Sequence, residues 1–143
     1  MPFDNKTGST TIISLLTASF SPADTNAIYG GGVVGVGMST TQGQYKYYPP
    51  VDLTIIGAKL TISVAGTSGT TETATVELGK NNTSFKTITS AALFDAFIQT
   101  YSATFSEPML VKTTDYLQIK VTPPAWGTNP TNISLRMDLI CAI

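Results

Sequence analysis

The sequence has no histidine, a single cysteine and few charged residues, which make up 12% of the chain. The absence of histidine excludes Ser-His-Asp and Cys-His catalytic arrangements and removes the commonest zinc ligand. One cysteine excludes an intramolecular disulfide, and the apolar surroundings of Cys141 are typical of a small buried hydrophobic residue. Carboxylates are therefore the remaining route to catalysis.

The nine acidic residues are scattered singly, and no D-x-D-x-D loop is present. A glycosidase pair or a calcium site needs carboxylates that meet in space. Asp95 and Asp115 lie in or beside expected loops and are the two carboxylates that could meet in space. Capping of turns is, however, the ordinary role of aspartates at such positions. We therefore expect no catalytic residues, no metal and no cofactor, and we interpret the chain as a binding or structural protein rather than an enzyme.

Basic residues are equally sparse, because eight Lys and Arg stand against nine Asp and Glu along 143 residues. No basic patch is present, so nucleic-acid binding is not expected. The start, Met1-Pro2-Phe3-Asp4-Asn5-Lys6, lacks the basic region and apolar run of a secretory signal. The apolar runs are too short for a membrane span. We expect a chain made in the cytoplasm, with no signal peptide and no membrane partner.

The main pattern in the sequence is the alternation of apolar and polar residues, which is the period of a half-buried strand. The two clearest runs are residues 115–122 and 132–140, on either side of a proline-rich loop that cannot be helical. Further strands are predicted at residues 10–16, 27–38, 52–65, 71–78, 84–89, 97–105 and 108–111. About eight strands in a chain of one-domain size predict an all-β sandwich or barrel.

Local signals predict the connections between these strands. Gly66-Thr67-Ser68-Gly69 predicts a β-hairpin between residues 52–65 and 71–78, with Ile56 on the buried face of the first strand. Gly79-Lys80-Asn81-Asn82 predicts a second tight turn. The one expected helix is a turn or two within residues 89–96, capped by Thr89 or Ser90.

Gly30, Gly32 and Gly35 satisfy the G-x-G-x-x-G spacing of dinucleotide-binding proteins. That motif requires a helix to follow, whereas Ser39-Thr40-Thr41-Gln42-Gly43 follows here. We interpret the glycines as marking a bulge or the close approach of another chain segment or a large ring.

Aromatic residues supply the candidate contact sites. Tyr45, Tyr47 and Tyr48 precede two prolines and are either a sugar or protein contact surface or a loop that packs over the sheet edge. Trp126 lies on the proline-rich loop, where it either stacks on a sugar ring or plugs a sandwich end or a subunit interface. We favour the plug, with residues 30–32 as one place where backbone leaves room for the ring.

Several segments together resemble one family of domains. They are Ala74-Thr75-Val76-Glu77-Leu78, Asn81-Asn82-Thr83, Thr89-Ser90-Ala91-Ala92, Asp115-Tyr116-Leu117-Gln118-Ile119-Lys120-Val121 and Trp126-Gly127-Thr128-Asn129-Pro130-Thr131-Asn132-Ile133-Ser134-Leu135. Their succession looks like the small jelly-roll domains of tailed-bacteriophage virions, which occur on head decoration (cement) proteins and at tail-fibre tips. The resemblance covers roughly residues 27–143.

The resemblance implies a single antiparallel jelly-roll-like β-sandwich at residues 27–143, preceded by an extended N-terminal arm at residues 1–26. It also implies a homotrimeric virion surface protein without catalytic residues. The chain contains no coiled-coil or fibre repeat, and the polar arm suits strand addition to a neighbour. Both features favour a cement protein on the capsid surface, with the major capsid protein as its partner.

The arm is either the first strand of the core or an extension that docks on a neighbour. The residues expected at capsid or subunit contacts are Ile12, Ile13, Leu15, Leu16 and Trp126. The alternative function is a receptor-binding tail-fibre tip, in which Tyr45, Tyr47, Tyr48 and Trp126 bind a host glycan.

Overall fold

Nine β-strands form two antiparallel sheets in the computed structural model, which describes residues 9–33, 35 and 37–142. No helix occurs among these residues, so none in this part of the chain has the length and apolar character needed to cross a membrane. The predicted all-β sandwich is confirmed. Residues 1–8 of the predicted arm lie outside the described residues.

The strands divide between the sheets as follows. The four-stranded sheet has the order β1 (Thr10–Leu16), β9 (Ile133–Ala142), β4 (Leu53–Val64), β7 (Ile98–Val111). The five-stranded sheet has the order β3 (Met38–Ser39), β2 (Ile28–Gly30), β8 (Leu117–Thr122), β5 (Ala74–Lys80), β6 (Ser84–Ala91).

The pairing of strands is nested along the chain. β1 pairs with β9, β2 with β8, β4 with β7 and β5 with β6, all antiparallel. The chain therefore follows one long two-stranded ribbon whose tip is the β5–β6 hairpin. Asn81 and Asn82 make the predicted turn at that tip with φ of 55° and 54°, a left-handed conformation that asparagine tolerates well.

The core lies between the sheets, where the apolar residues of each alternating strand meet. Leu60, Ile62 and Leu139 from the four-stranded sheet and Val76 and Ile119 from the other are all fully buried. Each such side chain contributes about 1.5–3 kcal/mol relative to an exposed one. This burial is what holds the two sheets face to face.

The predicted hairpin between residues 52–65 and 71–78 is wrong, because β4 and β5 belong to opposite sheets. The connection between them crosses the end of the sandwich. Its backbone N–H groups at Ala65 and Gly66 donate to the carbonyls of Asn132 and Thr131, in the loop before β9, instead of closing a turn. Both strands still bury one apolar face, so alternation alone did not distinguish the two arrangements.

A β-bulge in β4 changes which residues face the core. The register of β4 against both neighbours shifts between Ile55 and Gly57. Ile55 is fully buried, whereas Ile56, predicted to lie inside, is only partly buried on the outer face. The extra residue reverses the alternation at that point.

The predicted helix at residues 89–96 is also wrong. β6 continues to Ala91, and the Thr75 and Ser90 hydroxyls hydrogen-bond across the strands at 2.6 Å. β-Branched residues before Ser90 favour a strand. The turn that follows buries Leu93 and Phe94 completely, which explains why this stretch is apolar.

Two other predicted boundaries differ. Residues 97–105 and 108–111 join into the single strand β7, which lies at a sheet edge, where the missing N–H of Pro108 is tolerated. The predicted strand at residues 27–38 is split into β2 and β3, and its residues 34 and 36 lie outside the described residues.

Candidate functional site

The loop that carries the three tyrosines is attached to the start of β8. Tyr47 and Leu117 exchange backbone hydrogen bonds of 3.1 and 2.8 Å. The buried side chain of Gln118 donates from Nε2 to the Tyr45 carbonyl at 2.9 Å and accepts from Gln42 Nε2 at 3.4 Å. These bonds hold the loop against the outer side of the five-stranded sheet.

The tyrosine rings face different surroundings. Tyr47 packs against the core, and burial, with a smaller contribution from Cys141, raises the pKa of its hydroxyl. Tyr48 is 52% exposed, and its ring centre lies 6.0 Å from that of Tyr116. Lys46 Nζ lies 4.6 Å from the centre of the same Tyr116 ring. Tyr48 is therefore the tyrosine of this cluster most available to a partner.

A pocket of about 290 Å³ joins the tyrosine loop to the glycine-rich segment. It is lined by Gly31, Gly32, Val33, Gln44, Tyr45, Lys46 and Tyr47. Its size is near the lower end for small-molecule sites, and its lining combines aromatic rings with an amide and a single cation. Such a lining suits a neutral polar ligand.

Trp126 closes one end of the sandwich. Its side chain is only 7% exposed, and its ring centre lies 5.8 Å from that of Phe94. Two carboxylates position its loop. Asp24 Oδ1 accepts a hydrogen bond from the backbone N–H of Trp126 at 3.1 Å, and Glu72 Oε2 accepts one from the backbone N–H of Gly127 at 3.2 Å. The indole belongs to the core and does not present a face to solvent.

The space beside Gly30 and Gly31 is occupied by neighbouring residues and not by the Trp126 indole. A Cβ at Gly30 would lie 2.4 Å from the Gly37 carbonyl oxygen and 2.7 Å from Met38 Sδ, and one at Gly31 would lie 3.0 Å from Ile119 Cδ1. These glycines permit the close approach of residues 37–38 and of β8. The expectation that they make room for Trp126 is wrong.

The four residues expected to contact a glycan do not form one surface. Tyr47 pairs with Leu117, the first residue of β8. Trp126 lies four residues after Thr122, the last residue of that strand. A strand of six residues spans roughly 20 Å. The tyrosine loop and the tryptophan loop therefore lie at opposite ends of the sandwich.

The expected contact residues of the arm are divided between the core and the surface. β1 is an edge strand of the four-stranded sheet, and Leu15 is fully buried in the core. Ile13 packs against that core, and the Leu16 backbone hydrogen-bonds to Gly32. Ile12 is 52% exposed on the outer face. A neighbour can reach Ile12 without any change in the fold.

Sequence reasoning missed an apolar row on that outer face, which runs across all four strands. The outer apolar row consists of Ile12 on β1, Ile140 on β9, Ile56 on β4 and Leu110 on β7. Ile12 lies opposite Ile140, and Ile140 lies beside the bulge at Gly57. Leu110, which is 63% exposed, lies opposite Thr54, two residues before Ile56 on β4. Only the registers of three strand pairs bring these residues together, and no signal in one segment reveals them.

Asp95 and Asp115 do not meet, because the fourteen residues of β7 separate them. Asp95 accepts from Gln99 Nε2 at 2.6 Å. Asp115 accepts from the Lys112 N–H and from Asn81 Nδ2, each at 2.8 Å, and these bonds lower the pKa of its carboxyl. In residues 9–33, 35 and 37–142 no cluster of three or more potential metal ligands is found.

No protein-family model matches the chain, and no curated protein shows significant sequence similarity to it. The resemblance to virion domains therefore depends on the segments quoted above.

Proposed function

We propose that the protein is a structural virion protein of a tailed bacteriophage, a cement protein that binds the outer surface of the head as a homotrimer and stabilises it. The observation that carries the proposal is the outer apolar row beside β1. Exposed apolar patches on soluble proteins commonly mark protein contacts. Here Ile12 and Leu110 are more than half exposed.

The strand order supports the jelly-roll assignment. A jelly roll wraps an antiparallel ribbon of four strand pairs across two sheets. In this chain the pairs β1–β9 and β4–β7 lie in the four-stranded sheet, and β2–β8 and β5–β6 in the other. The short strand β3 is an addition to this plan.

In this proposal the outer apolar row rests on the major capsid protein, while β1 keeps its place beside β9 in the four-stranded sheet. Burial of the row supplies binding energy in proportion to the apolar area removed from water. Because the protein binds only assembled shells, mass action favours the intact head over its dissociated subunits. No chemical step is required for this role.

The direct test replaces Ile12 by lysine, which exposed edge strands accommodate. Heads assembled without the protein are mixed with wild-type or Ile12→Lys protein, and the bound fraction is measured by co-sedimentation. We expect about tenfold weaker binding for Ile12→Lys, because the lysine places a charge within an apolar contact. The matched control is Ser63→Lys, on the same outer face near the far end of β4, which should bind normally.

Equal binding by Ile12→Lys and wild type, with both proteins folded, would contradict the assignment of this surface. A deletion that tests the arm should stop at residue 8. A longer deletion, through residue 20, removes all of β1 and the buried Leu15, so loss of binding would report unfolding.

The second candidate function is a receptor-binding tail-fibre tip, which the pocket beside Tyr45 and the exposed ring of Tyr48 favour. Electron microscopy of the parent particle, labelled with an antibody against this chain, separates the two. Label in a lattice over the head supports the cement protein. Label confined to the tail end supports the fibre tip, and Tyr48→Ala should then abolish glycan binding without loss of folding.

A further inference from the structure

The two sides of the sandwich differ. On the side of β1 and β2, the Leu16 and Gly32 backbones exchange hydrogen bonds of 2.6 and 3.0 Å that bridge the sheets. On the other side, β6 and β7 form the edges of their sheets, and no backbone hydrogen bond joins described residues of the two strands. β6 and β7 therefore lie close together but are not joined by backbone pairing among the described residues, and we call this the open side of the sandwich.

A groove of about 390 Å³ lies along this open side. This edge groove is lined by Lys80, Ser84, Phe85, Lys86, Pro108, Met109 and Leu110. Two of these residues are cationic, and none is a carboxylate. Among the other lining residues, Leu110 presents a side chain that is 63% exposed.

Both lysines emerge on the inner face of the five-stranded sheet. Lys80 pairs with Ser84 and Lys86 with Leu78, and Leu78 is fully buried. Because side chains at alternate positions share a face, Lys80 and Lys86 point between the sheets, where other strands place apolar residues. An inward lysine protects a sheet edge from unwanted pairing. Two of them beside an open groove also create a local site of positive charge.

The contacts that Lys80 and Lys86 make within the chain do not use all the N–H donors of their ammonium groups. Lys80 Nζ donates to the Leu110 carbonyl at 2.8 Å, which uses one of its three N–H groups. Lys86 Nζ lies 5.7 Å from the centre of the Phe105 ring, a contact that leaves its hydrogen-bonding capacity intact. Both ammonium groups can therefore bind a further anion.

We propose that the edge groove binds an extended, acidic segment of a partner protein, with a carboxylate between Lys80 and Lys86 and an apolar side chain against Leu110. Charge complementarity selects the acid, because the lining offers two cations and no carboxylate. The nearby carboxylate of Asp115 also feels the charge of Lys80, but its hydrogen bonds are made to Asn81 and to the Lys112 N–H. The unpaired edges of β6 and β7 offer backbone groups with which an extended segment pairs, as in strand addition.

A nucleic acid also supplies anions, but the structure favours a peptide. Strand edges hydrogen-bond to a peptide backbone, which nucleic acids lack. Binding to a phosphate backbone also requires many basic contacts, whereas this chain has a net charge of −1. The edge groove shares Leu110 with the outer apolar row but does not include Ile12, and the inference does not depend on the virion role.

The probe is a fluorescently labelled peptide of Asp and Glu with one central Leu, and its partner probe has Asn and Gln in place of the acids. Fluorescence anisotropy with the full chain should show binding of the acidic peptide that weakens as ionic strength rises. The neutral peptide should bind far more weakly. Failure of the acidic peptide to bind would overturn the proposal.

The variant Lys80→Gln/Lys86→Gln should bind the acidic peptide about tenfold more weakly, because both cations of the groove are lost. The control Lys59→Gln/Lys112→Gln makes the same change in net charge at exposed positions outside the groove and should bind normally. Equal loss in both variants would overturn the site, since it would show an effect of overall charge.

Ser84→Glu is a second variant for the case in which loss of the Lys80 contact to Leu110 unfolds the chain. Ser84 is exposed and lines the groove, so glutamate there should repel the peptide without disturbing the core. Unchanged peptide binding by folded Ser84→Glu would contradict the proposal. Displacement of the bound peptide by a single-stranded oligonucleotide of higher affinity would overturn it in favour of a nucleic-acid site.

Discussion

At the scale of single residues, Trp126 combines near-complete burial with a polar atom that has no partner. Its indole packs against Phe94, and its Nε1 is buried without a hydrogen-bond partner among the described residues. The ring therefore stabilises the end of the sandwich through apolar contact alone. Its contribution to stability should follow ring volume and not hydrogen bonding.

We predict that Trp126→Ala lowers the free energy of unfolding by about 3–5 kcal/mol, as expected for a large buried aromatic residue. Trp126→Phe should cost much less, because it keeps a ring in place and breaks no hydrogen bond. Urea denaturation of the three proteins measures both changes. A Trp126→Ala protein as stable as the wild type would show that the ring lies outside the core.

Asp138 links β1 to the sheet through its charge. Its Oδ1 accepts from Ser14 Oγ at 2.5 Å and from Arg136 Nε at 2.9 Å. Burial raises the pKa of this carboxyl, but the hydrogen bonds from Ser14 and Arg136 outweigh burial, and the pKa lies below its ordinary value of 3.8. The folded protein thus binds this proton less readily than the unfolded chain does.

It follows that the stabilisation by Asp138 is complete above pH 3.8 and is lost as the pH falls through the lowered pKa. Thermal unfolding of wild type and Asp138→Asn across the acidic range tests this prediction. The difference in Tm between the two proteins should shrink as the pH falls, because the wild-type carboxylate becomes neutral. Asp115, whose pKa is also lowered, is present in both proteins and so cancels in the comparison. A constant difference would contradict the assignment.

At the scale of elements, two strand glycines differ in what surrounds them. A Cβ at Gly57, in the β4 bulge, would lie 2.6 Å from the Ala103 carbonyl oxygen of β7. A Cβ at Gly79, in β5, would lie 2.8 Å from Cε1 of the Phe85 side chain. The first neighbour is backbone in a hydrogen-bonded ladder, and the second is a ring that can turn aside.

We therefore predict that Gly57→Ala destabilises the protein by about 1–3 kcal/mol, because the methyl group forces β4 away from β7. Gly79→Ala is the matched control and should cost clearly less. Chemical denaturation of both variants tests the pair. Equal losses would indicate that intrinsic strand propensity, and not contact with the neighbouring backbone, decides the effect.

Strand positions could be predicted because alternation reports which face of a segment is buried. Alternation identified β8, β9 and most of β5, whereas β1 was predicted from an apolar run. Alternation does not report which sheet a strand joins, and for that reason the hairpin between β4 and β5 was wrong. The bulge that turns Ile56 outward left no mark in the sequence beyond Gly57, which has other uses in a strand.

At the scale of the whole molecule, the predictable surfaces were those with an unusual residue type. The tyrosine cluster and Trp126 can be recognised as candidate contact residues from the sequence alone. Their positions at opposite ends of the sandwich, however, depend on the topology. The outer apolar row and the edge groove combine residues from four and three strands respectively. Each of those residues is ordinary alone, so only the assembled registers reveal the two surfaces.

The pairing of β1 with β9 imposes a delay during synthesis. β9 is the last of the nine described strands to be made, and it lies between β1 and β4 in the sheet. At a translation rate of roughly 5–20 residues per second, β1 waits on the order of 10 s for its partner. During that interval its uncharged, β-branched stretch is unpaired on the ribosome. The nascent chain is therefore prone to aggregation until β9 emerges, and a translational pause before β9 would prolong that interval.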